Sequence, residues 1–161
     1  YSADFQKKQP TYIGCSVSKD WHFFSNFEKW FISNYVEGCQ LDKDILLPDN
    51  KVYNAEVCVF VPQKINKLLL DCKSARGEYP LGVSFHKGQQ KYMARVSIGT
   101  GVTQYLGSFS TPLEAHRAYQ LAKAGAIEAA KTDNLRIKAA LALRAAKLRD
   151  DHANNRITVK I

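Results

Sequence analysis

Bulky side chains at Trp21, Phe24, Phe27, Phe31 and Tyr35 recur close to every 3.6 residues and predict a short amphipathic helix with its aromatic face in the core. Downstream, Leu41-Asp42-Lys43-Asp44-Ile45-Leu46-Leu47 runs into Pro48-Asp49-Asn50, a turn signal. Residues 52–61 are rich in β-branched side chains and predict a strand. Pro62 then opens a short helix with Ile65, Leu68 and Leu69 along one side. This part of the chain reads strand, loop, strand, helix. Residues 71–80 have no apolar period and read as a linker.

Beyond the linker the period changes from about 3.6 to 2. Strands are predicted over 81–86, 91–98 and 103–109, with Lys87-Gly88 and Gly99-Thr100-Gly101 as their turns. Three cues then agree on a helix start: Thr111 as N-cap, Pro112 in the first position and Glu114 completing a capping box. Ala115, Ala118, Tyr119 and Ala122 form the helical face turned to the sheet. Alternation assigns Val83, Phe85, Tyr92, Ala94, Val96, Leu106 and Phe109 to that same interior. It assigns Ser84, His86, Lys91, Arg95, Ser97, Thr103 and Tyr105 to the opposite face, which no helix of the motif covers. Such a face is also what a solvated antiparallel sheet presents, so alternation alone does not make it an interface. A last helical stretch, 135–149, is rich in Ala and Leu and carries Arg136, Lys138, Arg144, Lys147 and Arg149. Its pattern leaves open whether it packs back, pairs with a second copy or lies along phosphates.

The 161 residues allow one core or two small ones. The longest apolar stretch, Cys58-Val59-Phe60-Val61, is strand-length and far from a membrane span. Cys15, Cys39, Cys58 and Cys72 include no C-x-x-C pair, so free thiols in a reducing cytosol fit better than a zinc knuckle or a disulfide framework. The chain begins at Tyr1 with neither Met nor a signal-peptide pattern, which predicts a natural N-terminus further upstream. Charge is informative through its placement. Residues 1–75 hold nine Lys/Arg and nine Asp/Glu, which leaves 14 and 6 of the chain's 23 and 15 to residues 76–161, net +8. That excess is expected if this half meets a polyanion, and equally of a basic solvated surface with no partner.

A resemblance sharpens this. Leu81-Gly82-Val83, Tyr92-Met93-Ala94-Arg95-Val96 and the long string from Tyr105-Leu106-Gly107-Ser108-Phe109 through Thr111, Glu114-Ala115 and Ala118-Tyr119 resemble the APETALA-two/ethylene-response-factor DNA-binding domain over about residues 79–131. The resemblance implies that the sheet lies in the major groove of duplex DNA and the helix only supports it. Carried over by position, Ser84, His86, Arg95, Ser97, Thr103 and Tyr105 face DNA. Plant members carry several Arg and a Trp on this face, whereas this chain has one Arg among hydroxyls and a His, so the target is not inherited. Arg95 suits a bidentate guanine contact, and Lys87, Lys91 and the C-terminal helix add affinity.

In the first half, Leu41-Asp42-Lys43-Asp44, Asp49-Asn50-Lys51-Val52-Tyr53, Val61-Pro62 and Asn66 resemble the HNH ββα-metal finger in spacing. The pairing with an APETALA-two-like domain is similar to bacteriophage HNH homing endonucleases. That resemblance implies Asp42 and Asn66 as metal ligands, with Mg2+ as cofactor if the site is active. The general-base position, however, is Lys43, and an ordinary Lys is protonated at neutral pH. A degenerate finger is therefore expected slightly ahead of an active nuclease.

The expected fold is α+β: a degenerate HNH-like ββα module (1–70), a linker (71–80), a three-stranded antiparallel sheet on a helix (81–131) and a basic C-terminal helix and tail (132–161). The expected function is double-stranded-DNA binding, with metal-dependent homing or nicking endonuclease as the alternative. The setting implied is the cytoplasm of a phage-infected or prophage-bearing bacterial cell, with no membrane partner. Gly-rich phosphate loops, G-x-S-x-G and H-E-x-x-H are absent. RNA is less favoured, because a flat face with few aromatics suits a duplex groove better than splayed bases. A pure protein-interaction module would require an exposed apolar patch, which the sequence does not locate.

Overall fold

The computed structural model describes residues 3–8, 10–70 and 77–161, so most of the expected linker, residues 71–76, lies outside the described residues. The fold is mixed α+β with three small sheets. It divides into two compact units, Tyr1–Gln63 and Lys64–Ile161. Among the described residues no helix is long and apolar enough to cross a membrane.

The first unit contains α1 (Ala3–Lys8), β1 (Ser16–Val17), α2 (Phe24–Asn34), β2 (Cys39–Asp42), β3 (Val52–Tyr53) and β4 (Val59–Pro62), with 3-10 turns at Pro10–Tyr12 and Lys19–His22. β1 pairs with β3 in parallel, and β2 pairs with β4 antiparallel with Leu41 opposite Phe60. The single strand expected over 52–61 is broken at Asn54. There the Oδ1 atom accepts from the backbone N–H groups of Glu56 and Val57 at 2.9 and 3.0 Å, closing a turn that competes with the ladder. α3 (Gln63–Leu69) follows β4 directly.

The aromatic helix exists, but its inward seam differs from the periodic reading. Trp30, Phe31 and Tyr35 pack on the buried Phe60 of β4 with ring centroids 5.8, 5.3 and 5.4 Å away, and Trp21, in the turn before α2, fills the space beside Phe27 and Trp30. Phe24 is left 70% exposed, and Phe23 and Ile32 are exposed as well. Ser25, Asn26, Lys29 and Ser33 share the opposite side, so the helix is amphipathic, and the position of Phe60 decides which of its aromatics pack.

The second unit contains α3, β5 (Val83–His86), β6 (Lys91–Ser97), β7 (Thr103–Phe109), α4 (Pro112–Glu128) and α5 (Leu135–Ala153). The sheet order is β5-β6-β7, antiparallel throughout. The capping box forms: Thr111 Oγ1 accepts from Glu114 N at 3.2 Å, and Glu114 Oε2 accepts from Thr111 N at 3.1 Å. α4 lays Ala115 and Tyr119 on Leu81, Val83, Ala94 and Val96. Gly82, at φ +74°, lies under the Tyr119 ring so closely that a Cβ there would sit 2.0 Å from Cδ2.

α5 packs back onto α4 through Ile137, Ala140, Leu141, Ala145 and Leu148, and Arg149 grips Glu128 with two hydrogen bonds of 2.7 and 2.6 Å. Residues 155–161 then return across α4. The buried His116, Gln120 and Thr158 hold this segment. Thr158 N donates to His116 Nε2 at 3.0 Å, which leaves His116 Nδ1 to donate to Leu81 O at 2.9 Å. Gln120 Nε2 donates to Arg156 O and Thr158 Oγ1, and Ile161 rests on Leu81, Val96 and Tyr119. Lys123, also buried, donates to Ser97 O at 3.2 Å and to Leu68 O at the end of α3.

Candidate nucleic-acid interface

The outer face of the second unit's sheet is set by register and by one irregularity. Met93 stands opposite Ser84 on one side and Ser108 on the other, and His86 stands opposite Lys91. Between Ala94 and Arg95 the ladder with β7 shifts: Ala94 faces Gly107, but Arg95 faces Tyr105. Leu106 is the extra residue of a bulge. Leu106 and Phe109 can therefore both serve the interior, while Tyr105 and Ser108 both belong to the outer face.

His86, Lys91, Arg95, Thr103 and Tyr105 are exposed, and Ser84 and Ser97 are half-buried. These seven share one surface. Tyr105 is 54% exposed, and its hydroxyl lies 2.7 Å from Ser108 Oγ, which ties the ring to the strand. His86 Nδ1 accepts from Gln89 N at 3.1 Å, which leaves Nε2 as the ring's donor nitrogen. Two residues on this face escaped the sequence reading, Met93 and Ser108. Parity along β6 points to Met93, since it alternates with Lys91 and Arg95; sorting by polarity passes it over.

The same surface carries basic charge that has no partner among the chain's described residues. Among the described residues the side chains of Lys87, Lys91 and Arg95 have no ion pair or hydrogen bond within the chain. Much of the second unit's remaining basic charge is engaged. Lys123 and Arg144 are buried, with Arg144 Nη1 donating to Ala140 O. Lys147 pairs with Asp151, Arg149 with Glu128, and Arg156 with Asp150 and Asp151. Of the five basic residues read on the C-terminal helix, Arg136 and Lys138 are exposed.

In the first unit, Asp42 ends β2 and its Oδ1 accepts from the backbone N–H groups of Asp44 and Ile45 at 2.9 and 2.6 Å. Burial pushes its carboxyl above the ordinary value, and the nearby charge of Asp44 pushes it further. Lys43 is buried, donates to Asp44 Oδ2 at 2.9 Å and lies 5.8 Å from the centre of the Tyr53 ring. Burial pulls its pKa down, but the hydrogen bond and charge of Asp44 outweigh that and hold the ammonium above its usual range. A Lys so held carries its proton and accepts none. Asn66 lies half-buried on α3, which is counted with the second unit, whereas Asp42 belongs to the first. The carboxylates here are engaged by protein donors, and among the described residues no three His, Cys, Asp or Glu side chains gather to hold a metal ion. The Mg2+ that the finger resemblance implies would be held by Asp42 and Asn66, and Asp42 Oδ1 already accepts from two backbone donors.

A raised carboxyl pKa means that the folded unit binds the proton more tightly than the unfolded chain, so Asp42 contributes stability at low pH and loses it as pH rises through the raised value. Asp42→Asn keeps the Oδ1 acceptor and removes the repulsion with Asp44. We expect it to stabilise the first unit at pH 7 by roughly 0.5 kcal/mol, the scale of one relieved like-charge contact. The gain should shrink as pH falls and the native side chain takes up its proton. Urea unfolding followed by fluorescence of Trp21 and Trp30, the only two tryptophans and both in this unit, measures it.

Comparison of the chain with protein-family models, with curated proteins and with solved structures finds no match.

Proposed function

We propose that the chain binds double-stranded DNA, with the outer face of β5–β7 in the major groove and α4 as its backing. The observation that carries this reading is that Lys87, Lys91 and Arg95, the unengaged cations just described, lie on or beside one uncovered sheet face that otherwise carries hydroxyls and a His. Three strands about 4.8 Å apart make a ribbon roughly 10 Å across, which suits a groove about 12 Å wide. The resemblance to the APETALA-two/ethylene-response-factor domain supports the same docking. On this reading Arg95 takes guanine O6 and N7, Lys91 takes phosphate, and Ser84, His86, Ser97, Thr103 and Tyr105 bind bases or phosphates. The place of action is then the cytoplasm of a phage-infected or prophage-bearing bacterial cell.

Gel retardation of duplex DNA by the full chain tests it. Arg95→Ala is expected to cost about 1–3 kcal/mol and to relax base preference, as for the loss of a bidentate guanine contact. Lys91→Ala should weaken all sequences alike and flatten the salt dependence by about one ion. No retardation at low salt would refute DNA binding.

A metal-dependent endonuclease is the second reading, and it draws on the spacing of Asp42 and Asn66. The charged, buried Lys43 at the base position speaks against it. Supercoiled plasmid with Mg2+, run beside the retardation, separates the two: binding without nicking is expected, and nicking that disappears in Asp42→Ala would establish the nuclease instead.

A further inference from the structure

We infer that Met93 reads the C5-methyl group of a thymine two base pairs from the guanine taken by Arg95. This rests on the groove-docking reading above and adds a second specificity-determining residue to it. Met93 is the chain's single methionine and stands on the central strand, on the face turned away from α4. Its neighbours Tyr92 and Ala94 go to the core with Val83 and Ala115, whereas Met93 takes no place in that cluster. Its partners across both ladders are serines, Ser84 and Ser108, so the longest side chain of that row is an unbranched apolar one flanked by two short hydroxyls.

Met93 is half-buried between these neighbours, and its remaining apolar surface, at the middle of a polar face, is offered to whatever docks there. In the major groove the one apolar group on a base edge is the thymine C5-methyl. A thioether chain is flexible and polarisable enough to cover a methyl without demanding a fixed angle. Spacing supplies the rest. Residues two apart on a strand are about 6.8 Å apart, two rises of roughly 3.4 Å along a DNA strand. Met93 and Arg95 then meet bases separated by one intervening pair, and the bound sequence should hold a guanine and a thymine in that relation.

The test begins by selecting bound duplexes from a randomised pool with the full chain. Deoxyuridine is then placed at each selected thymine in turn, which deletes the methyl and nothing else. One thymine, two positions from the preferred guanine, should matter: its replacement should weaken binding about three- to fivefold, what the burial of one methyl group is worth. In Met93→Ala the thymine and uracil duplexes should bind alike while the guanine preference stays. Met93→Leu, which restores an apolar chain of similar size, should restore the difference. Equal binding of thymine and uracil duplexes by the native chain would overturn the inference, as would a difference that survives in Met93→Ala. If no duplex is retained at low salt, the groove-docking reading fails and the inference with it, an outcome distinct from binding that ignores the methyl.

Discussion

Gly82→Ala should lower the melting temperature of the second unit by roughly 10–20 °C while the tryptophan fluorescence transition of the first unit stays in place. Two costs add at this position. The backbone at φ +74° is in the left-handed region, where an L side chain costs about 1–2 kcal/mol. A methyl group would also stand 2.0 Å from Cδ2 and 2.3 Å from Cγ of Tyr119. Tyr119 is buried against Leu81 and Val96 and cannot swing aside, so overpacking adds about 1–3 kcal/mol. Gly82 O also accepts the Arg95 N–H at 2.8 Å, so a shift of Gly82 displaces the strand that carries Arg95. Loss of DNA retention should therefore accompany the loss of stability. Far-UV circular dichroism, dominated by α4 and α5, follows the second unit. A melting temperature within 3 °C of the native chain would show that the close approach to Tyr119 has been misjudged.

His116→Ala is expected to cost about 4 kcal/mol. The imidazole is fully buried and uses both nitrogens on backbone groups: Nδ1–H on Leu81 O and Nε2 under Thr158 N–H. Removing it strands a buried carbonyl and a buried amide, each at about 1–3 kcal/mol, and opens a cavity beside them. The effect should be directional along the chain. Amide exchange at Thr158 should accelerate far more than exchange in β6, because the segment from Arg156 onward loses its anchor while the sheet keeps its ladder. His116→Gln, whose amide offers one donor and one acceptor, should recover part of the loss. Unchanged exchange at Thr158 in His116→Ala would contradict this account.

How far such features can be read without coordinates depends on the range of the interactions that create them. The capping box at Thr111 and Glu114 and the alternation in β5–β7 are local, so pattern alone places them. Lys123 is the opposite case. A lysine on a helix reads as solvated, and only carbonyls 26 and 55 residues away, at Ser97 and Leu68, explain its burial. His116 and Gln120 are likewise fixed by partners more than 30 residues distant. In α2 the period marks the apolar side, but Phe60, a residue of another element, decides which aromatics pack there. On the outer sheet face the polar residues are legible by parity. Tyr105 and Ser108 share that face only because of the bulge at Leu106, which no simple alternation contains. In the first unit, spacing could suggest the carboxylate positions but not that Asp42 closes a backbone turn or that Lys43 is salt-bridged to Asp44.

The returning segment at residues 155–161 has a consequence for biosynthesis. A chain made from its N-terminus forms local structure as it leaves the ribosome, at about 5–20 residues per second. The helices and hairpins of the second unit can form in that order, but His116 and Gln120 receive their last partners only from Arg156 and Thr158, and the cover that Leu106 and Ala122 give Leu81, Val96 and Tyr119 is completed only by Ile161. Until those residues clear the exit tunnel, the nascent second unit carries open polar groups and an uncapped apolar seam. Closure of the second unit therefore waits until residues 156–161 have left the tunnel, and a stall near residue 150 should leave a species that chaperones hold and proteases cut.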